Sequence, residues 1–341
     1  MNLLDSNNPR GRLLMKTAGQ LAGALSRLEG MLFGDAGPLH PPIFILGLPR
    51  GGTTLMYQVL CHCYRFAYPS MAANSLPFSA ALVSWLCRRF RGDYVSDFQS
   101  HYGRLRGLTS PGEGTMWNLW FEKDRTYRSA NDVRPEAVRE MVRMVGRIER
   151  IYGHPFINKN LRHINRLPAL AEIFPRCLFV VIMRNPRDAV LSLLRGRLEM
   201  QGSFNRWFSV RPRSFVAHRD LAPERQVVFQ IKGLIDDLLE DMPRIGTKRF
   251  IAVPYEEFCR SPANHLSMIS SFLSGHGVPV LPSHPPPKPF LPVRDRTDML
   301  TGAQLTSIDR ALEEAFSADP YLNLRCVWSG ERNAIPPTNR S

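Results

Sequence analysis

The sequence predicts an α/β fold: P-loop-like, in three layers, with a central parallel sheet flanked by helices. Three observations carry that reading. Short apolar runs at 43–48, 155–158, 178–183 and 250–253 are separated by stretches of helical periodicity, the pattern of parallel strands joined by helices. The first run empties into a glycine-spaced turn, Gly47-Leu48-Pro49-Arg50-Gly51-Gly52-Thr53-Thr54, as the next helix opens. With 341 residues, 44% of them apolar, the chain has core enough for a single unit of this kind.

Taken in order, residues 1–40 form an amphipathic helical appendage. Leu14, Ala18, Leu21, Leu25, Leu28 and Leu32 recur at helical spacing, a stripe expected to pack on its own domain or to pair copies of the chain. The main domain spans 41–330. Within it Val138, Met141, Val145, Ile148 and Tyr152 share one helical face. Asn185 and Pro186 supply an N-cap and a first helical residue after the third apolar run, and Ser261 and Pro262 do the same for a helix burying Leu266, Ile269 and Leu273. The proline cluster 279–292 is an expected extended connector, and 331–341 an expected disordered tail.

The formal charge of +14 favours a polyanionic partner: a nucleotide, an acidic glycan, nucleic acid or an anionic membrane surface. Six cysteines without a C-x-x-C spacing point to reduced thiols in the cytoplasm. Cys61-His62-Cys63 lacks the second ligand pair of a structural metal site, so no metal is assigned. No stretch of eighteen or more apolar residues occurs, so no transmembrane segment is expected, and any membrane association would be peripheral.

The loop departs from the nucleoside triphosphatase pattern at one place that matters. Gly47 and Gly52 keep the glycine spacing that lets backbone amides approach phosphate, but Thr53 stands where the lysine belongs. A β/γ-phosphate pair would be poorly neutralised there, whereas Arg50 suits a single 5′-phosphate carrying a transferable group. A second phosphate site follows the run 178–183. Arg184 falls where parallel strands deliver ligands, and Ser192 lies two turns along the next helix. Alone, each has a structural alternative, a surface ion pair for Arg184 and a back-bonded helix serine for Ser192.

Together the two sites resemble sulfotransferases that use 3′-phosphoadenosine 5′-phosphosulfate. The loop Gly47–Thr54 resembles that family's 5′-phosphosulfate loop, and Arg184 with Ser192 its 3′-phosphate pair. Ile157-Asn158-Lys159-Asn160 and Val253-Pro254-Tyr255-Glu256-Glu257-Phe258 match further motifs, most closely in the branch with bacterial and tyrosylprotein enzymes. The resemblance implies donor binding by Arg50, Gly51, Gly52, Thr53, Thr54, Arg184, Ser192 and Tyr255, with Lys159 and Arg50 as cations. Glu113, in Ser110-Pro111-Gly112-Glu113, is the expected general base, with Glu122 as its rival and a helix-end structural carboxylate as the alternative role. It implies no metal, because loop and cations already neutralise the leaving phosphate.

The carboxyl-terminal R-K-G signature of small-molecule sulfotransferases is absent, and Leu55 replaces the tryptophan after the threonines, which argues against a phenol or steroid enzyme. Soluble bacterial enzymes of the branch this chain resembles commonly modify glycans, so the resemblance implies a hydroxyl acceptor on a carbohydrate, glycoconjugate or other acidic substrate, with no specific nucleic acid. Trp117 and Trp120 could stack on a sugar or pack in the core. The run from Arg206 through Trp207, Phe208, Arg211, Arg213 and His218 to Arg219 is a candidate lid or a solvated loop. Two rival readings remain at this level. A P-loop kinase leaves the missing lysine unexplained, and a polyanion-binding protein leaves Glu113 without a purpose.

Overall fold

The computed structural model describes residues 23–100, 103, 105–123, 125–291 and 297–316. Four strands, β1 (Ile43–Gly47), β2 (Ile157–Lys159), β3 (Leu178–Met183) and β4 (Phe250–Pro254), form one parallel sheet in the order β2-β1-β3-β4. Ile43 sits opposite Ile157 on one side and Leu178 on the other, and Phe179 opposite Phe250. Every residue of β1, β2 and β3 is buried. That uninterrupted burial is why β1 and β3 are apolar throughout instead of alternating, since both faces of the sheet are covered, whereas β2 buries Asn158 and Lys159.

The covering helices are α1 (23–33), α2 (Thr53–Cys63), α3 (Ala80–Arg91), α4 (Pro135–Tyr152), α5 (Leu167–Ile173), α6 (Pro186–Gln201), α7 (Phe215–His218), α8 (Pro223–Ile245), α9 (Tyr255–Arg260), α10 (Pro262–Gly275) and α11 (Gly302–Ala315). The start of α6 follows its sequence signal: the Asn185 side chain accepts from the Arg187 amide at 3.0 Å, and Pro186 takes the first helical position. The start of α10 does not. Ser261 occupies the cap position but makes no side-chain cap bond, because at φ −139°, ψ 66° it lies outside the extended conformation that aims a cap hydroxyl at the next amides.

The appendage also differs from expectation. Leu14, Ala18 and Leu21 lie outside the described residues, but in α1 the expected apolar stripe is turned outward, with Leu28, Met31 and Leu32 exposed. The residue turned inward is Glu29, fully buried. It accepts from Leu82 N at 2.8 Å and Ser79 Oγ at 3.1 Å at the start of α3, and pairs with Arg147 of α4 at 3.1 Å. Burial raises the Glu29 carboxyl above its usual range, against the lowering effect of these partners. Arg147 is itself buried and requires a counter-charge, which fixes the helix orientation more firmly than the leucine stripe does.

The proline-rich connector is extended, as expected, and it is pinned. Ser283 N donates to Cys63 O at 2.8 Å beyond the end of α2, and Phe290 N to Cys259 O at 2.8 Å in α9. This path delivers Phe290 and Leu291 to the carboxyl edge of the sheet. The expected tail from 331 lies outside the described residues.

Candidate active site

The sheet order places β1 between β2 and β3, so the chain leaves β1 toward one side and later returns on the other. Such a switch point opens a crevice at the carboxyl ends of the strands. A cleft of about 390 Å³ lies there, lined by the loop after β1, Lys159 from β2, Arg184 after β3 and Tyr255 after β4.

The loop is built on close approach. A side chain at Gly47 would begin 2.5 Å from Ile182 O, and one at Gly52 2.2 Å from the Tyr255 ring, so glycine is what lets neighbouring elements meet there. Gly51 N donates to Leu48 O at 2.9 Å, closing the turn, while Arg50 (φ 62°) and Gly52 (φ 88°) adopt the left-handed conformation. The turn opens α2 with no side-chain cap and no acid in its first turn. Thr53 and Thr54 line the cleft at that uncapped end, where helix amides favour an anion.

Next to the loop stands a cationic pair. Arg184 is buried, donates from Nη1 to Arg50 O at 2.9 Å, and places its guanidinium carbon 5.3 Å from the Tyr255 ring centre. Arg50 Nε donates to Ser192 Oγ at 2.9 Å. The structure thus brings together Arg50, Arg184, Ser192 and Tyr255. Arg50 lines the cleft with Nε held by Ser192, which sits behind it, buried and outside the cleft lining.

On the other flank Lys159 and Glu113 form an ion pair, Lys159 buried and Glu113 half-exposed toward the cleft. The segment carrying Glu113 is clamped from β2. Asn158 Nδ2 donates to Gly112 O at 3.2 Å, and Asn160 Nδ2 to Glu113 O at 3.2 Å. Asn158 is held in turn: its Oδ1 accepts from Trp117 Nε1 at 2.8 Å and lies 2.9 Å from His163 Nε2. Burial, helped by Arg166 and Lys159, pushes His163 well below its usual range, so it is neutral and donates this bond. The loop and this pair converge. The point where a side chain on Gly103 would begin lies 3.5 Å from Glu113 Oε1, 3.5 Å from Thr54 Oγ1 and 3.7 Å from Lys159 Nζ.

Other candidates are placed elsewhere. Glu122 is exposed, paired with Arg125 at 3.2 Å, and is not part of the lining. Trp117 is fully buried and Trp120 nearly so, which makes them core and not a sugar platform. Of the basic-aromatic run, Phe208 and Ser209 reach the cleft, while Arg213 turns away to Glu240 and Asp241 of α8. Burial pushes the Cys61 and Cys63 thiols up, Cys63 to about 11, and His62 stacks on His284. Among the described residues no group of three His, Cys, Asp or Glu is arranged to hold a metal ion, and no helix is long and apolar enough to cross a membrane. Sequence reasoning gave no role to Asn158 and Asn160, although both stood in a matched motif, and did not find Gly103, Phe98 or Phe290, which carry no local signal.

Comparison with known proteins matches the sulfotransferase family over residues 41–277. The omega-hydroxy-beta-dihydromenaquinone-9 sulfotransferases Stf3 of Mycobacterium bovis and Mycobacterium tuberculosis are 24% identical over 251 residues, which is 68% of this chain and 62% of theirs. The chain therefore aligns with under two thirds of the length of these curated relatives. Among solved structures, sulfotransferase STF9 from Mycobacterium avium aligns with a TM-score of 0.53 at 17% identity, covering 92% of this chain and 87% of that one, a likeness of fold.

Proposed function

Since the chain belongs to the sulfotransferase family, we propose that its cleft moves a sulfonate group from 3′-phosphoadenosine 5′-phosphosulfate to a hydroxyl acceptor. The observation that carries this reading is the convergence of Glu113, Thr54 and Lys159 on one point beside an uncapped helix end. The donor supplies the activated sulfonate. Its 5′-phosphate suits the amides of Gly51, Gly52, Thr53 and Thr54, and its 3′-phosphate Arg184 and Arg50, with Ser192 holding Arg50 from behind and Tyr255 bracing Arg184. Glu113 takes the acceptor's proton as the new oxygen–sulfur bond forms and the bond to the 5′-phosphate breaks. Lys159 offsets the charge that grows on the leaving oxygen.

A kinase-like reading gains nothing from the cleft, where Thr53 occupies the lysine position and Arg50 is directed to Ser192. A polyanion-binding reading leaves the clamped Glu113–Lys159 pair beside the loop without a purpose. The acceptor is a hydroxyl compound, and a carbohydrate or glycoconjugate is the expectation drawn from sequence. The Stf3 relatives are named for a menaquinone derivative instead.

Calorimetric titration with 3′,5′-ADP, 5′-AMP and ATP, with and without EDTA, tests the donor assignment. Losing the charge-assisted contacts of the 3′-phosphate costs about 1.5–3 kcal/mol, so 5′-AMP should bind at least about tenfold more weakly. Equal affinity for the two, or tight metal-dependent ATP binding, refutes the reading.

A further inference from the structure

We propose that the acceptor is a lipophilic alcohol, a hydroxyl at the end of an apolar chain, and that Leu55, Phe98, Leu161, Phe208 and Phe290 receive that chain. This rests on reading the cleft as a sulfonate-transfer site. The apolar wall begins where the reacting groups end: Leu55 follows Thr54 directly, and Leu161 lies two residues past Lys159. Phe98 and Phe290 pack edge to face with ring centres 5.5 Å apart, and Phe98 also meets the His62 ring at 5.0 Å. The two rings form a braced surface instead of loose side chains.

The polar inventory points the same way. A sugar presents several hydroxyls, and each one taken from water without a partner costs affinity. Among the described lining residues the carboxylate is Glu113 alone, already committed to proton transfer and to Lys159. Of the two amides in the lining, Gln58 is buried, and its Nε2 donates to Ser96 Oγ at 3.3 Å and Gln99 O at 3.0 Å, while Gln99 is exposed beside Phe98. The tryptophans that could have stacked on a sugar are in the core. The five apolar side chains gain from excluding water, and the polar groups beside them, Gln99, Ser100 and Ser209, are few. The carbohydrate expected from sequence suits this surface poorly.

The test measures transfer from 3′-phosphoadenosine 5′-phosphosulfate to 1-butanol, 1-hexanol and 1-octanol, and to methyl glucoside and maltose, by release of 3′,5′-ADP. If the wall takes the chain, kcat/KM should rise about fourfold per added methylene until the wall is filled, and 1-octanol should exceed both sugars by at least about a hundredfold. Phe98→Ser should flatten the chain-length dependence while leaving 3′,5′-ADP affinity within about twofold. Phe290→Ser provides the same comparison if the first variant fails to bind 3′,5′-ADP, which reports its folding. A flat alkanol series with intact 3′,5′-ADP binding, or preferred transfer to the sugars, overturns the acceptor assignment alone. Failure of the wild-type protein to bind 3′,5′-ADP overturns the donor reading beneath it.

Discussion

Gly52→Ala puts the construction of the donor loop to a quantitative test. The new methyl group would begin 2.2 Å from Cδ2 and 2.6 Å from Cε2 of Tyr255, at a backbone φ of 88°. Two separable costs follow. Holding a residue with a Cβ in the left-handed region costs about 1–2 kcal/mol. Displacing a packed ring adds about 1–3 kcal/mol. Their sum, about 2–5 kcal/mol, is a large share of the roughly 5–15 kcal/mol that holds a domain folded, so the effect is measurable. Urea denaturation of Gly52→Ala, Tyr255→Leu and the double variant separates the two terms. Removing the ring should recover the second cost but not the first, giving a favourable coupling of about 1–3 kcal/mol. Binding of 3′,5′-ADP should weaken in Gly52→Ala, because a displaced Tyr255 no longer braces Arg184. A stability loss under about 0.5 kcal/mol, or strictly additive effects of the two substitutions, would refute the packing argument.

Other expectations follow from the same geometry. Glu113→Gln should lower kcat by roughly 10²–10⁴ with 3′,5′-ADP affinity unchanged, in steady-state and titration measurements. Near wild-type turnover would return Glu113 to a structural role. Lys159→Ala should fall mainly on kcat and Arg184→Ala mainly on the donor's KM, since charge on the leaving oxygen grows during transfer while a 3′-phosphate contact is made throughout. Matching kinetic profiles would contradict that division. His163, kept neutral by burial, makes stability fall as pH drops below about 6.5, where the unfolded chain takes up a proton that the folded one refuses. Denaturation midpoints of wild type and His163→Phe between pH 7.5 and 5 should show a flatter pH dependence in the variant, and parallel curves would remove His163 as the source.

Much of this architecture could be read from the chain because it rests on local physics. Strands β1, β3 and β4 are apolar runs bounded by turn residues, and the loop and the start of α6 are set by glycine, asparagine and proline acting within a few positions. The resemblance on four motifs then supplied the proposed donor and the residues proposed to bind it. What could not be read depends on contacts between distant segments. Glu29 is turned inward by Arg147, 118 residues away, and no periodicity within α1 reveals that. The direction of Arg50 is set by Ser192, 142 residues on. Phe98 and Phe290 meet only because the proline connector is pinned to α9. The acceptor was the least legible part, since it had to be drawn from analogy while the proposed apolar wall is assembled from five separate parts of the sequence.

The shortness of β2 has a further consequence. Lys159 and both clamps on the Glu113 segment belong to this one strand and the residue after it, and three aligned pairs with β1 tie it to the donor half of the cleft. On its outer side a bridge from Ala67 to Phe156 steadies the approach to the strand. The spacing between the two reactants is thus gauged by three rungs at the margin of the sheet. Loosening the last of them would misalign the base and its cation while the core stayed intact. On gradual heating, catalysis should therefore fail several degrees before the fold does, and cooling from that interval should restore it.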